Sequence, residues 1–332
     1  MLQVGVIGLG MHGQRYVRHV TQDVPGMQLA AVCRRNAAEA ERIGREWGVP
    51  WFTDPVGLVA SPEVQAVIVV TPPPTHLALT SLALQHGKPV IVEKPLTQTL
   101  EEALELERIA LTTGTPLLLA QTLRYDPALQ LARRELERIG PVRALTASQR
   151  LPRADLAWQN TDSTHPLGSI LNTGVHLFDL VRWLLDAEFE RVFCLAHRVE
   201  NPFHEDLFKV QATLRGVDTL VAIEVAKCTQ SRSSNLEVVG ERGQLWVDYQ
   251  IDQVVLVEGR ERTVLRRAKP EPALPYLLRD FAYRLQEFEP MPITVRDGVK
   301  TLEVVEACYR SMAENRPEFV SRPHLVAPPA PE

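Results

Sequence analysis

Cysteine is scarce. Four stand among 332 residues, Cys33, Cys194, Cys228 and Cys308, and no two are close enough for a CxxC pair. That spacing excludes a disulfide framework and a cysteine-based zinc site, so no metal is expected and a reducing cytoplasm is the expected compartment. Positive charge is also short. Thirty-six basic residues face 41 acidic ones, a net charge of −5. A nucleic-acid partner calls for a basic surface, so none is expected. Lysine is rarer still, with six against thirty arginines, a bias compatible with genome composition or heat adaptation. No apolar run spans a membrane. The longest charge-free stretch, residues 64–87, is broken by Pro72-Pro73-Pro74 and contains His76 and His86. The opening MLQVGVIGLG has no basic segment, so a secretory leader is not expected.

What is present is ordinary for a globular protein: 45% apolar and 23% charged residues. The length suits about two domains. The first 121 residues alternate strand and helix signals. Apolar runs at 2–8, 27–33, 66–71, 89–92 and 117–121 are separated by helical stretches from Met11, Asn36, Thr75 and Thr99. Asn36 with Glu39 and Thr99 with Glu102 read as capping boxes, while Gly48 and Gly114 read as helix stops. This alternation predicts an α/β fold, a doubly wound parallel sheet with helices on both faces.

After residue 122 the pattern changes. Helices are expected over 127–139 and 169–185 and a strand over 142–150, with a polar loop at 151–167. Seven strands then follow between 190 and 267 without intervening helices, which predicts an open, mostly antiparallel sheet in an α+β second domain. Two helices close the chain, about 276–287 and 298–314. The expected division is 1–122, 123–322 and a disordered tail 323–332, with the last helices packing back on the first domain.

Four motifs carry chemistry. Gly8-Leu9-Gly10-Met11-His12-Gly13 follows a strand and opens a helix, the setting in which GxGxxG binds a dinucleotide. Gly8 allows the tight turn, Gly10 lets backbone approach a diphosphate, and Gly13 lets helix and strand pack closely. At the end of the second strand, where an acid would select NAD, stand Cys33, Arg34, Arg35 and Asn36. The two arginines favour a 2′-phosphate and hence NADP over NAD, although they are also compatible with a solvated surface. The run 87–95, GKPVIVEKP, ends a strand at Glu93-Lys94 and aims Lys94 at the crevice beyond the sheet; Lys94 alone is also compatible with a solvated strand end. Residues 168–179, GSILNTGVHLFD, place Asn172 and His176 four apart on a helical face, with Asp179 three further on. His176 suits a general base or a hydrogen-bonded core histidine. Asp179 is expected to pair with Arg182.

Together these residues resemble the glucose–fructose oxidoreductase/inositol dehydrogenase family over about residues 1–320. The resemblance rests on the 8–13 loop, Thr71-Pro72-Pro73 with His76, Glu93-Lys94-Pro95, and Gly174-x-His176-x-x-Asp179. It implies an N-terminal Rossmann domain and a C-terminal domain on an open sheet that builds a homodimer or homotetramer. It implies NAD(P)-dependent, metal-free oxidation or reduction of sugars and polyols. Lys94 would contact both the nicotinamide ribose of the cofactor and the reacting oxygen, and His176 would be the acid/base. Thr71, Pro72 and His76 would lie along the cofactor with Met11 and His12, and Glu93 near the nicotinamide ribose. Two positions depart from the family pattern: Asn172 replaces a common aspartate, and Gln159 follows Trp158 in place of arginine. Asn172 would orient substrate, and His165 is a fallback base. A cofactor-binding regulator or scaffold and an imine- or tetrapyrrole-type reductase remain open beside the polyol oxidoreductase.

Overall fold

A computed structural model describes residues 1–153 and 167–320. The expectations for Trp158, Gln159, His165 and the tail lie outside those residues.

The first half builds one sheet from β1 (Leu2–Ile7), β2 (Met27–Cys33), β3 (Trp51–Phe52), β4 (Ala66–Val69), β5 (Val90–Glu93) and β6 (Leu117–Ala120). Between them run α1 (Met11–Gln22), α2 (Ala37–Trp47), α3 (Pro55–Ala60), α4 (His76–Gln85) and α5 (Leu100–Thr113). The order is β3-β2-β1-β4-β5-β6 and every pair is parallel. β4, β5 and β6 are buried at every position, as their unbroken apolar runs require when both faces are covered. The order reverses between β1 and β4, where a doubly wound sheet opens its crevice.

Local chemistry sets the helix ends. Thr99 and Glu102 form the expected capping box. Asn36 accepts from Glu39 N at 3.0 Å, but the Glu39 carboxylate turns to Arg42 at 3.3 Å, so only half of that expected box forms. The short β3 and α3 escaped the sequence reading because two and six residues carry too little periodicity.

The second half holds α6 (Pro127–Ile139), β7 (Val142–Arg150), α7 (Val175–Leu185), β8 (Phe189–His197), β9 (Leu207–Leu214), β10 (Val217–Ala226), β11 (Ser233–Gly240), β12 (Gln244–Asp248), β13 (Gln253–Glu258) and β14 (Glu261–Arg267). Then come α8 (Leu274–Glu287), α9 (Val295–Glu314) and β15 (Glu318–Phe319). Among the described residues nine strands run β14-β13-β12-β11-β7-β10-β9-β8-β15, all antiparallel except β7 beside β10. The predicted helix over 169–185 departs from expectation: Ile170–Gly174 is a π turn, and the α-helix begins only at Val175.

The two sheets share a seam. α9 packs on α5 and β8, and α8 on α1. Leu119 N donates to Ile293 O at 3.1 Å along the edge of β6. Beneath the seam lies a buried ion network. Arg124 grips Asp179 with two bonds, 2.8 and 2.6 Å, and Asp297 at 2.7 Å. Asp179 therefore answers chiefly to Arg124; the expected Arg182 stands back at 3.8 Å.

Arg124→Ala leaves the buried Asp179 and the half-buried Asp297 without the cation that hydrogen-bonds both, with only the more distant Arg182, at 3.8 and 3.5 Å, in its place. Unfolding free energy should fall by about 3 kcal/mol or more. Denaturant titration checks this, and a loss below about 1 kcal/mol would contradict it.

Candidate active site

The ends of β5 and β6 meet the turn that leads into α7 and the first residues of that helix, and the ends of β4 and β1 follow next in the sheet. At the end of β1, Gly8 has φ +98°, and a Cβ there would come within 2.5 Å of Val70 O. A Cβ on Gly13 would fall 1.8 Å from Gly8 O, so helix and loop touch as expected. A Cβ on Gly10 would meet nothing within 4 Å; that side of the loop is open. The first turn of α1 carries no acid, leaving its N–H groups and partial positive charge for an anion. Met11 opens this turn and is exposed. These features fit a dinucleotide diphosphate.

Arg34 bends back over the loop, Nη1 donating to Leu9 O at 2.8 Å, with Glu39 at 3.5 Å. Arg35 is exposed and has no side-chain partner among the described residues.

At the end of β4, the Thr71 hydroxyl accepts from Thr75 at 2.7 Å. Pro72 leads into a 3-10 turn, Pro73–Thr75. His76 is fully buried between Thr71 O at 2.7 Å and Pro95 O at 2.8 Å. Burial pushes its pKa down. It fixes the loops after β4 and β5 from below and does not reach the crevice surface.

Glu93, the last residue of β5, is buried. His12 Nε2 donates to it at 2.7 Å and Tyr16 OH at 2.6 Å, while Lys94 N donates to its other oxygen at 3.0 Å. Burial alone would raise this carboxyl. The bond and charge of His12, the Lys94 ammonium and the Tyr16 hydroxyl outweigh it and hold the pKa at about 2. Lys94 is joined to Pro95 by a cis peptide bond. Its Nζ donates to Asn172 O at 2.8 Å and Asn172 Oδ1 at 3.2 Å. Burial lowers its pKa, and Glu93 resists that shift.

The π turn gives Asn172 its place. A widened turn offsets the i, i+4 ladder. The residue presents both its main-chain carbonyl and its side-chain oxygen to Lys94. His176, one turn on, has Nδ1 3.0 Å from Gln121 Oε1. Gln121 Nε2 donates to Val175 O at 3.3 Å, which assigns its oxygen as the acceptor. Nδ1 therefore carries the proton and Nε2 presents a lone pair. Burial first, then the charge of Lys94, pushes the His176 pKa down to about 3, so the ring is neutral at ordinary pH. Sequence reading missed Gln121. It ends a fully apolar strand, and a polar residue there was the available signal.

Residues 2–120 match the oxidoreductase family with an NAD-binding Rossmann fold, and residues 130–319 match that family's C-terminal alpha/beta domain. The chain belongs to this family. It is 30% identical over 257 residues to scyllo-inositol 2-dehydrogenase (NAD(+)) of Bacillus subtilis, covering 74% of this chain and 73% of the relative. Inositol 2-dehydrogenase 2 of Saccharopolyspora erythraea is 31% identical over 344 aligned positions, 98% of each chain. The same fold is seen in scyllo-inositol dehydrogenase from Lactobacillus casei with bound NAD(H) and scyllo-inositol (TM-score 0.84, 20% identity, 97% of this chain and all of that one). The expected fold class, a doubly wound parallel sheet followed by a mostly antiparallel one, is the family's. So is the expected enzyme class, an NAD(P)-dependent dehydrogenase or reductase.

The Glu93 geometry makes a pH prediction. Its pKa is depressed from 4.5 to about 2. Its contribution to stability is thus complete above about pH 5 and is lost as pH falls toward 2. Glu93→Gln should be less stable than the parent at neutral pH, by on the order of 2 kcal/mol, with the gap closing through that window. Urea midpoints at several pH values check this; a gap independent of pH would contradict it.

Proposed function

We propose that the chain transfers hydride between a nicotinamide dinucleotide and a sugar- or polyol-like hydroxyl or carbonyl. The observation that carries this is the meeting of Lys94, Asn172 and His176 at the mouth of the Gly8–Gly13 crevice. The names of the Bacillus and Saccharopolyspora relatives support the substrate class.

When bound, the dinucleotide supplies the hydride donor or acceptor. Gly8, Gly10 and Gly13, with Met11 and His12 at the start of α1, would hold its diphosphate. Thr71 and Pro72 would border it, and Glu93 would act through His12 and Lys94 because its oxygens are already engaged. In the oxidative direction His176 Nε2 takes the hydroxyl proton, since Gln121 keeps the other nitrogen protonated. Lys94 donates a hydrogen bond to the same oxygen and stabilises its growing negative charge. Asn172 holds Lys94 in place and orients substrate.

We further propose NADP(H) over NAD(H). No acid ends β2, and Arg35 is left free for a 2′-phosphate. The homodimer or homotetramer expected from the family would use the uncovered face of the second sheet, where Leu195 and Leu220 are exposed.

Two outcomes test these readings. Lys94→Ala should lower kcat by about a hundredfold or more, while dinucleotide affinity changes by less than about fivefold. Turnover near that of the parent would contradict the role. For the cofactor, NADPH should bind about tenfold tighter than NADH by fluorescence titration, and Arg35→Ala should remove most of that difference. Equal affinities, or tighter NADH, would contradict the preference.

A further inference from the structure

Lys227 stands one residue past the end of β10, whose Ala226 lies opposite Arg150 of β7. β10 packs against the π turn that carries Asn172. The lysine backbone is fixed, Lys227 N donating to Asp206 O at 2.7 Å. Its side chain is half-buried, and Nζ has no hydrogen-bond or ion-pair partner among the described residues. Four of the other five lysines are held: Lys94 by Asn172, Lys88 by Val64 O, Lys209 by Glu224 and Lys300 by Glu303. The fifth, Lys269, is exposed. β10 ends beside the turn whose Asn172 holds Lys94, which puts Lys227 on the same side of the site; burial, then the like charge of Lys94, pushes the Lys227 pKa down to about 8.

Two carboxylates lie near Lys227, Glu205 and Asp206, and both are committed elsewhere. Asp206 accepts from three backbone amides, Val199 and Glu200 at 2.7 Å and Asn201 at 2.8 Å. Glu205 accepts from Ile170 N at 3.0 Å and Tyr309 OH at 2.9 Å. Burial raises the Glu205 pKa. Glu93 is saturated by His12, Tyr16 and Lys94 N. Asn172 has no charge, and His176 is neutral. Among the described residues the Lys227 amine makes no ion pair, and the nearby carboxylates act on it only at a distance, so the repulsion between the two cations in a partly desolvated place is one that an arriving anion would relieve.

We propose that Lys227 binds an anionic group, a carboxylate or a phosphate, on a sugar- or polyol-like substrate whose reacting oxygen lies at Lys94 and His176. This deepens the oxidoreductase reading and rests on it. The substrates would be acidic sugars or polyols, and Lys227 would set specificity while Lys94 and His176 carry the chemistry.

The test compares myo-inositol, D-gluconate, D-glucuronate and glucose 6-phosphate, each with NAD+ and NADP+, on the parent, K227M and K227R. The parent should favour at least one acid over myo-inositol by about tenfold or more in kcat/KM. K227M should erase that preference about tenfold through KM, and K227R should restore most of it. Whether the carboxylates or the phosphate respond to Lys227 identifies the group. Myo-inositol outrunning every acid in the parent, or an equal loss on neutral and acidic substrates in K227M, would overturn the anion role and leave the oxidoreductase reading standing. If nothing turns over, calorimetry with D-gluconate and glucose 6-phosphate on the protein saturated with reduced dinucleotide separates the two claims. Binding weakened about tenfold by K227M keeps the anion site and overturns the activity. Absent or unaffected binding overturns the anion site.

Discussion

The crevice depends on one buried carboxylate. Glu93 takes two hydrogen bonds from α1 and one from the backbone of its neighbour, Lys94. Those bonds tie the helix that would hold a diphosphate to the strand end that carries a lysine. A buried charge is costly without such partners, and with them it is directional. The three donors lock the spacing between Gly8–Gly13 and Lys94. His76 adds a second tie from beneath, bridging Thr71 O and Pro95 O.

The other side of the site is built by a defect. The π turn at Ile170–Gly174 breaks helical register and brings both oxygens of Asn172 to Lys94. The regular helix that follows aims His176 at Gln121. Beneath them Arg124 binds Asp179 of that helix and Asp297 of α9, so the seam between the sheets is pinned by charge as well as by apolar packing. A carboxylate in place of Asn172 would neutralise Lys94; asparagine holds it by hydrogen bonds and leaves its positive charge to the substrate.

Much of the fold was legible because its elements carry strong local signals. The all-apolar β4, β5 and β6, the Thr99–Glu102 box and the stops at Gly48 and Gly114 each state their structure within a few residues. The glycine loop was equally readable, since steric limits at Gly8 and Gly13 leave few alternatives. What stayed hidden were long-range choices. Periodicity made 169–185 one regular helix, and nothing local marked the π turn. Asp179 had a plausible partner three residues away, yet Arg124, 55 residues off, binds it more closely. Gln121 and Lys227 gain meaning only once the tips of β6 and β10 are brought beside α7 and its leading turn.

The most direct test of this account is a crystal structure of the protein with its reduced dinucleotide. The diphosphate should rest on residues 8–13 at the start of α1, with the nicotinamide ring against the Lys94 amine and facing His176. An empty crevice under saturating dinucleotide, or a Lys94 amine turned out to bulk water, would contradict it.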